Sequence, residues 1–429
     1  MNDIDKALIV ILIICAIFIL FYVVNNASAD SIGIDQNVEH MDSKLKWTRS
    51  TNCRDHMNDP TYDALHKNDI SFVDENRASE ADIVFPCGYN AIDHEIRSLP
   101  HIGKQRNAEK PKIAFIIDGA DEITAKNFMW RNIRAHHGLE KAKMMAPNTY
   151  LLVGDEKIAD MARLKKEHVI GKLYMMKNNQ QRQMGLQIVD DISNIEKVNG
   201  GNHVLIQELL TDPYLVNGYK INLRVYVVVV SHKSNTSVYV YDDGFVYYSK
   251  KKYDPNDRSP DNHITTGYVD REVYEINPLT LTDFKKYLDL KEGTKYHDKA
   301  EPRRLNNAER KIGGPISIAV FERIDRLLEE IFKSFRSKIC RKTYANGVDI
   351  PIHDDLTMQI FGADIALNKD LVSQIMEINK GPDLKPKDDR DGKIKKALMN
   401  SVFELAGLCE TQNVEGDVKL RRILHMKTG

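Results

Sequence analysis

Ile360–Pro382 reads IFGADIALNKDLVSQIMEINKGP. Two apolar runs, Met358–Leu367 and Leu371–Asn379, flank the polar triplet Asn368-Lys369-Asp370. Runs of this length around a short polar turn predict a β-hairpin. Asp364 interrupts the first run. Glu377 and Asn379 lie two apart on the second, so a strand puts both on one face. Carboxylates on an otherwise apolar surface are costly unless paired or bound to a cation. Three oxygen donors converging from a hairpin suit a hard cation such as Mg2+ held against phosphates. The other reading is a half-buried hairpin with polar residues on its wet face, and the hairpin by itself does not choose.

Outward from the hairpin, the chain mixes strand and helix signals. Ile318–Cys340 is the clearest amphipathic helix, with Val320, Phe321, Ile324, Leu327, Leu328, Ile331, Phe332 and Phe335 at three- and four-residue spacing. A second helix is predicted over Lys393–Leu408. Leu279–Lys311 is charged and poor in apolar residues, centred on KEGTKYHDKAEPRR, and reads as an exposed insertion. Further upstream, strand signals dominate: Val169–Lys177, Leu186–Val189, His203–Leu209, Ile221–Ser231, Ser237–Tyr241 and Phe245–Ser249. Asp242-Asp243-Gly244 reads as a hairpin turn between the last two. Asp121–Leu139 and Asp155–Leu164 are predicted helices, Ala81–Pro86 and Lys112–Ile117 short buried strands. Hairpins rather than strict βαβ alternation indicate an α+β, or mixed α/β, class.

Three stretches carry unusual residues for their surroundings. Lys177 closes an apolar strand before the polar loop of LYMMKNNQQRQMGLQI, where Gly185 follows, and a lysine beside a flexible loop can bind phosphate. Gln207 and Glu208 interrupt a strand. Lys220, Asn222 and Arg224 alternate with Ile221, Leu223 and Val225, which gives one strand face an anion-binding character. Each stretch also has a plain reading as a solvated face or a snorkelling lysine. Lys126 sits on a predicted helix among apolar neighbours, where a solvated lysine is the ordinary case.

The chain has 429 residues, with Lys+Arg 61 against Asp+Glu 62 and a formal charge of −1. That length allows two or three domains. No global field points to nucleic acid. Cys15, Cys53, Cys87, Cys340 and Cys409 form no C-x-x-C pair, so neither a zinc site nor a disulfide framework is expected. Outside the apolar run that holds Cys15, they read as reduced cysteines of a cytosol-facing body. That run, Ala7–Val24 (ALIVILIICAIFILFYVV), is eighteen residues long, at the short end of what spans a bilayer. It reads as a retained single-pass anchor. Ala27-Ser28-Ala29 leaves a cleaved signal as the alternative. Asp30–Asn76 is polar and without clear periodicity, as in a tether with short local structure.

Taken in order, these stretches resemble the tubulin–tyrosine ligase family of ATP-grasp amino-acid ligases. ITAKNFMWRNI is similar to the family's helix with a Thr-Arg-Lys-Asp core, and APNTYLL to the strand that follows. LYMMKNNQQRQMGLQI resembles the strand, lysine and glycine-rich loop over the phosphates. VLIQELLTDPYLVNGYKINLRVYVVVV resembles the family's long signature around K-F-D-L-R, and YVYDDGFVYYSKKKY its following hairpin. HITT stands at the His-Leu-Thr-Asn position. The opening hairpin resembles F-G-x-D followed by E-V-N-x-x-P. The order is kept over roughly Asp118–Leu408.

The resemblance implies an ATP-grasp fold with a small N-terminal α/β domain. The expected layout is a tail at 1–6, the transmembrane helix at 7–24 and a juxtamembrane tether at 25–76. Then come an N-terminal domain at 77–145, a central domain at 146–210, a C-terminal domain at 211–410 with the insertion 279–311, and a tail at 411–429. It implies ATP and Mg2+ as cofactors. Lys126, Lys177, Arg182 and Gly185 would bind phosphates. Gln207, Glu208, Leu209 and Leu210 would form the adenine hinge. Lys220 and Arg224 would face the nucleotide and the reacting groups, and Asp364, Glu377 and Asn379 would hold the metal. The implied activity joins an amino acid to a protein acceptor, with tubulin as one candidate, on the cytosolic side of a membrane. A catalytically inactive relative, acting as an anchored binding or structural protein, is the alternative. Asn222, Thr266 and Tyr247 depart from the family's Asp, Asn and Arg at those positions. The departures bear on substrate recognition more than on the metal.

Overall fold

The computed structural model describes residues 44–50, 53, 56–99, 112–179, 185–190, 193, 203–298, 315–409 and 419–429. Ala7–Val24, Arg182 and the 299–311 part of the insertion lie outside the described residues. Among the described residues no helix is long and apolar enough to cross a membrane.

The chain begins with β1 (Lys46–Arg49), α1 (Asp59–Lys67), β2 (Ser71–Phe72), β3 (Ile83–Phe85), α2 (Ile92–Ser98) and β4 (Ile113–Ala114). Asn58 caps α1 by accepting from the Thr61 N–H at 3.0 Å, and Pro60 occupies the first turn. Then come α3 (Ala120–Thr124), α4 (Lys126–His137), α5 (Leu139–Met145), β5 (Thr149–Leu151), α6 (Lys157–Glu167), β6 (Tyr174–Lys177), β7 (Gln187–Val189) and β8 (Leu205–Glu208). The last part holds β9 (Leu215–Val216), β10 (Tyr219–His232), β11 (Asn235–Lys252), β12 (Thr265–Thr266), α7 (Leu281–Asp298), α8 (Ile316–Lys333), β13 (Leu356–Leu367), β14 (Ser373–Lys380), α9 (Asp389–Leu405) and β15 (Leu420–Lys427).

Eleven strands form one sheet, with the path β12-β11-β10-β13-β4-β3-β1-β2. β14 also pairs with β13, β15 with β11, and β9 with β10. β1 to β4 run parallel to their neighbours, whereas β10, β11, β13 and β14 form antiparallel ladders. β13 joins the two styles. Leu356 and Thr357 pair in parallel with β4, and Phe361–Leu367 pair antiparallel with β14. A smaller antiparallel sheet has the order β5-β8-β6-β7, with its own core of Tyr150, Leu164, Tyr174, Met176 and Ile206. The described residues from Leu45 onward pack as one unit. The helix predicted over Ile318–Cys340 is α8, which buries Val320, Ile324, Leu327, Leu328, Ile331 and Phe332 along one stripe.

Several expectations are corrected. Asp242-Asp243-Gly244 is not a turn. β11 runs through it, and the turn to β10 is Lys233-Ser234, both with positive φ (48° and 62°) as a two-residue hairpin turn requires. Register passes from Val225↔Gly244 to Val227↔Val240, so the acidic triplet marks a bulge. The stretch at 46–72 is not a simple tether. Trp47 is buried in β1, and α1 buries Ala64 and Leu65. Its strands are too short to show a period. The first part of the charged insertion is helix α7, which buries Leu281, Phe284 and Leu288. The cysteine reading is corrected as well, because Cys53 and Cys87 form a disulfide with Cα atoms 5.0 Å apart. They follow β1 and β3, which pair in parallel up to Arg49↔Phe85, so topology joins residues that spacing keeps apart.

Candidate active site

The hairpin β13–β14 forms as predicted. The Asn368 side chain accepts from the Asp370 and Val372 N–H groups at 3.0 and 2.9 Å and sets the turn. Register then lines up charged residues across three strands: Arg224 of β10 opposite Asp364 of β13, and Asp364 opposite Glu377 of β14. Like charges directly opposite each other destabilise a sheet, so a stability-driven hairpin would avoid this pair.

Two contacts hold the acids together. Arg224 donates Nε to Asp364 Oδ1 at 2.6 Å and Nη2 to Oδ2 at 2.9 Å. Gly362 makes room for this fork, since a Cβ there would lie 3.0 Å from Arg224 Cδ. Asn379 Nδ2 lies 3.3 Å from Asp364 Oδ2 and 3.2 Å from Glu377 Oε1, so three side chains converge on one point. Burial pushes the Asp364 carboxyl above its ordinary range, Arg224 opposes this, and Glu377 adds to the rise. Burial also works against Glu377, but Lys126 and Lys177 hold it below the ordinary range. Burial opposes the Arg224 charge too, yet Asp364 raises its pKa. A carboxylate oxygen carries more than one lone pair, so these oxygens can accept a cation while keeping their present donors. Two carboxylates, with the Asn379 oxygen that a flip of its amide would bring to the place Nδ2 now occupies, match an oxygen-loving divalent ion, and the donor set fits Mg2+.

The lysines come from other elements. Lys126 opens α4. Its Nζ lies 3.5 Å from Glu377 Oε2, and its backbone N–H donates to Asn179 Oδ1 at 2.9 Å. Lys177 ends β6 and donates to Gln207 Oε1 at 2.6 Å, and Gln207 Nε2 donates to Thr149 Oγ1 at 3.0 Å. Lys220 is buried at the start of β10. Burial lowers both Lys177 and Lys220 to about 8, against the Glu377 field at Lys177 and with Lys177 repulsion at Lys220.

These groups line one cavity of about 820 Å3 between the two sheets, together with Asn222, Tyr247, His263 and Thr266. The expected hinge divides. Gln207, Glu208 and Leu209 line this cavity, and Leu210 lines a neighbouring one of about 340 Å3. The Glu208 carboxylate is held by Lys172 at 2.7 Å, with Asn148 Nδ2 and the Tyr150 hydroxyl each at 3.0 Å. The Leu209 N–H donates to Leu173 O at 3.0 Å. Gly185 lies just before β7, with φ 70°. Lys385 and Lys387 also line the cavity, and sequence reading passed over them. They sit in DLKPKDD, whose alternating charges read as a solvated loop.

The profile of the tubulin-tyrosine ligase family matches residues 116–414. Tubulin monoglutamylase TTLL4 of Mus musculus is 26% identical over 298 residues, covering 67% of this chain and 23% of that protein. Tubulin polyglutamylase TTLL7 of Xenopus tropicalis is 25% identical over 218 residues, covering 50% of this chain and 23% of that protein. The chain thus spans about a quarter of the length of these curated relatives. The matched region starts just after β4, runs past α9 and takes in every residue that lines the cavity, with β5–β8 of the small sheet and β9–β14 of the large one, and the chain belongs to the tubulin-tyrosine ligase family.

Proposed function

We propose that the chain is an ATP- and Mg2+-dependent carboxylate–amine ligase that adds an amino acid to a protein acceptor. The observation that carries this reading is the convergence of Asp364, Glu377 and Asn379 beside Lys126 and Lys177 in one cavity. The names of its relatives make glutamate the first amino acid to test and tubulin the first acceptor.

An acceptor carboxylate oxygen attacks the γ-phosphorus of ATP, the bond to the β-phosphate oxygen breaks, and ADP leaves. The amine nitrogen then attacks the acyl carbon of the acylphosphate. Phosphate departs, the nitrogen loses its proton, and an amide remains. Asp364, Glu377 and Asn379 would hold Mg2+, which would supply charge neutralisation at the phosphates. Lys126 and Lys177 bind phosphate oxygens, and Lys220 holds the nucleotide from β10. Arg224, fixed by Asp364, faces the reacting groups. Gln207 to Leu210 border the adenine and Gly185 approaches the phosphates, a role the family resemblance also gives to Arg182. The protein's contribution is positioning and preset charge, and no side-chain nucleophile takes part.

Ala7–Val24 would anchor the chain, with the body on the cytosolic side where ATP is abundant. The deciding experiment uses the full chain in detergent. Mg2+-dependent ATP binding and amino-acid-dependent ADP release are expected, and Glu377→Gln should abolish both. Binding without ADP release for any amino acid, with or without tubulin, would return the chain to the inactive alternative.

A further inference from the structure

At one end of the cavity, Tyr247 of β11, the Thr266–Tyr268 segment and the Asp383–Lys387 segment before α9 meet. Lys387 reaches in from the last of these. Its Nζ donates to Gly267 O at 2.9 Å and sits 4.0 Å from the centre of the Tyr268 ring and 5.7 Å from that of Tyr247. A carbonyl and two aromatic rings fix an ammonium in place without cancelling its charge. The two carboxylates whose fields act on it are already engaged. Asp391 pairs with Lys395 at 2.7 Å. Asp383 accepts from the Tyr268 hydroxyl at 2.9 Å and the Lys385 N–H at 3.0 Å. Arg224, 4.9 Å from the Tyr247 ring centre, is committed to Asp364. Among the described residues Lys387 makes no ion pair. Its pKa is lowered to about 8, by burial first and Lys395 next, with Arg224 adding and Asp391 and Asp383 opposing. A cation in this state is stabilised by an arriving anion.

We propose that Lys387 is a specificity-determining residue: it holds a carboxylate of the amine-bearing substrate, so the cavity selects an amino acid over a simple amine. The inference rests on the ligase reading and names the residue by which that site recognises its second substrate. The Tyr247 and Tyr268 rings bound the subsite, and the segment leading into α9 delivers the charge from outside the strands that carry the metal donors.

The test measures equilibrium binding of glutamate to the full chain in the presence of Mg2+ and a non-hydrolysable ATP analogue. Lys387→Met should weaken glutamate by about ten- to a hundredfold, the range of a lost charge-assisted hydrogen bond. ATP affinity and melting temperature should stay the same, and Lys387→Arg should retain most of the binding. Of glutamine and isoglutamine, the one lacking the recognised carboxylate should bind the wild type as weakly as glutamate binds Lys387→Met, and should lose nothing more in that variant. Unchanged glutamate binding in Lys387→Met overturns the proposal, as does a parallel loss of ATP affinity. So does failure of all twenty protein amino acids to bind. ADP release is scored separately: Lys387-dependent binding without turnover sinks the ligase reading and leaves the subsite standing.

Discussion

At the residue scale, the pleat of a strand explains what could be read early and what could not. Glu377 and Asn379 are two apart, so their shared face follows from the sequence. Gln207 and Glu208 are adjacent, so only one of them can point at Lys177. Gln207 does, and Glu208 joins Tyr150 and Lys172 instead. Lys387 was illegible because nothing local separates a lysine aimed inward from its solvated neighbours. The Arg224–Asp364 pair yields a stability prediction. Arg224→Met leaves a buried acid facing Glu377, and urea unfolding should show a loss of about 3–5 kcal/mol, as for other broken buried pairs. Arg224→Lys should recover little, because one ammonium cannot span both carboxylate oxygens. Lys220 yields a proton-linkage prediction. Its folded pKa of about 8 lies below its unfolded value, so it opposes folding fully below pH 8, and that cost fades as pH rises through 8 toward the unfolded pKa. A bound phosphate raises the pKa again. Calorimetry near pH 8.5 in buffers of different ionisation enthalpy should therefore show proton uptake on ATP binding, reduced in Lys220→Met. Equal uptake in both proteins would count against the proposed contact between Lys220 and the nucleotide.

At the element scale, β11 shows how a correct signal can be assigned to the wrong feature. Asp-Asp-Gly does break the strand pattern, but as a bulge within one long strand. The true turn, Lys233-Ser234, lacks the glycine or asparagine that usually announces it. Gly244 is needed for close approach: a Cβ there would lie 2.2 Å from Arg224 O. Gly244→Ala should cost about 1–3 kcal/mol by overpacking and displace the Arg224 backbone, lowering ATP affinity along with stability. The disulfide was invisible for a different reason, because it depends on two parallel strands becoming neighbours through a crossover. It sits at the start of a loop that braces the β13–β14 hairpin. The Tyr89 hydroxyl donates to Phe115 O at 2.9 Å, and Lys380, next to Asn379, donates to Asn90 O at 3.1 Å and pairs with Asp121. Closing a loop of 34 residues stabilises by roughly 3–4 kcal/mol in the chain-entropy estimate. Reduction should therefore speed amide exchange at 87–90 and, through Lys380, at 378–382. Acceleration confined to the first segment would show that the brace does not reach the site.

At the scale of the whole molecule, the cavity lies between the antiparallel part of the large sheet and the four-stranded sheet, and β13 joins that part to the parallel strands. The antiparallel part was legible because its strands are long and carry alternating polar residues. Of the parallel part, β3 and β4 fall within the predicted strands Ala81–Pro86 and Lys112–Ile117, bounded by proline, glycine and charge, whereas β1 and β2, of four and two residues, show no period. The proposed anchoring of the body on the cytosolic side meets two features that pull apart. The proposed ATP dependence favours the cytosol, yet a disulfide persists best in an oxidising compartment. Cytosolic placement predicts that Cys53 and Cys87 are reduced in the cell and join only after lysis. Alkylation of intact cells before lysis should then label both, followed by Cys409, with Cys340 last, because burial raises the Cys340 thiol to about 12. Protease added to sealed inside-out vesicles should digest the body and spare the segment around Ala7–Val24. A protected body whose Cys53–Cys87 bond is already closed before lysis would place it on the oxidising side, and the supply of ATP there would then have to be shown before the ligase reading could stand.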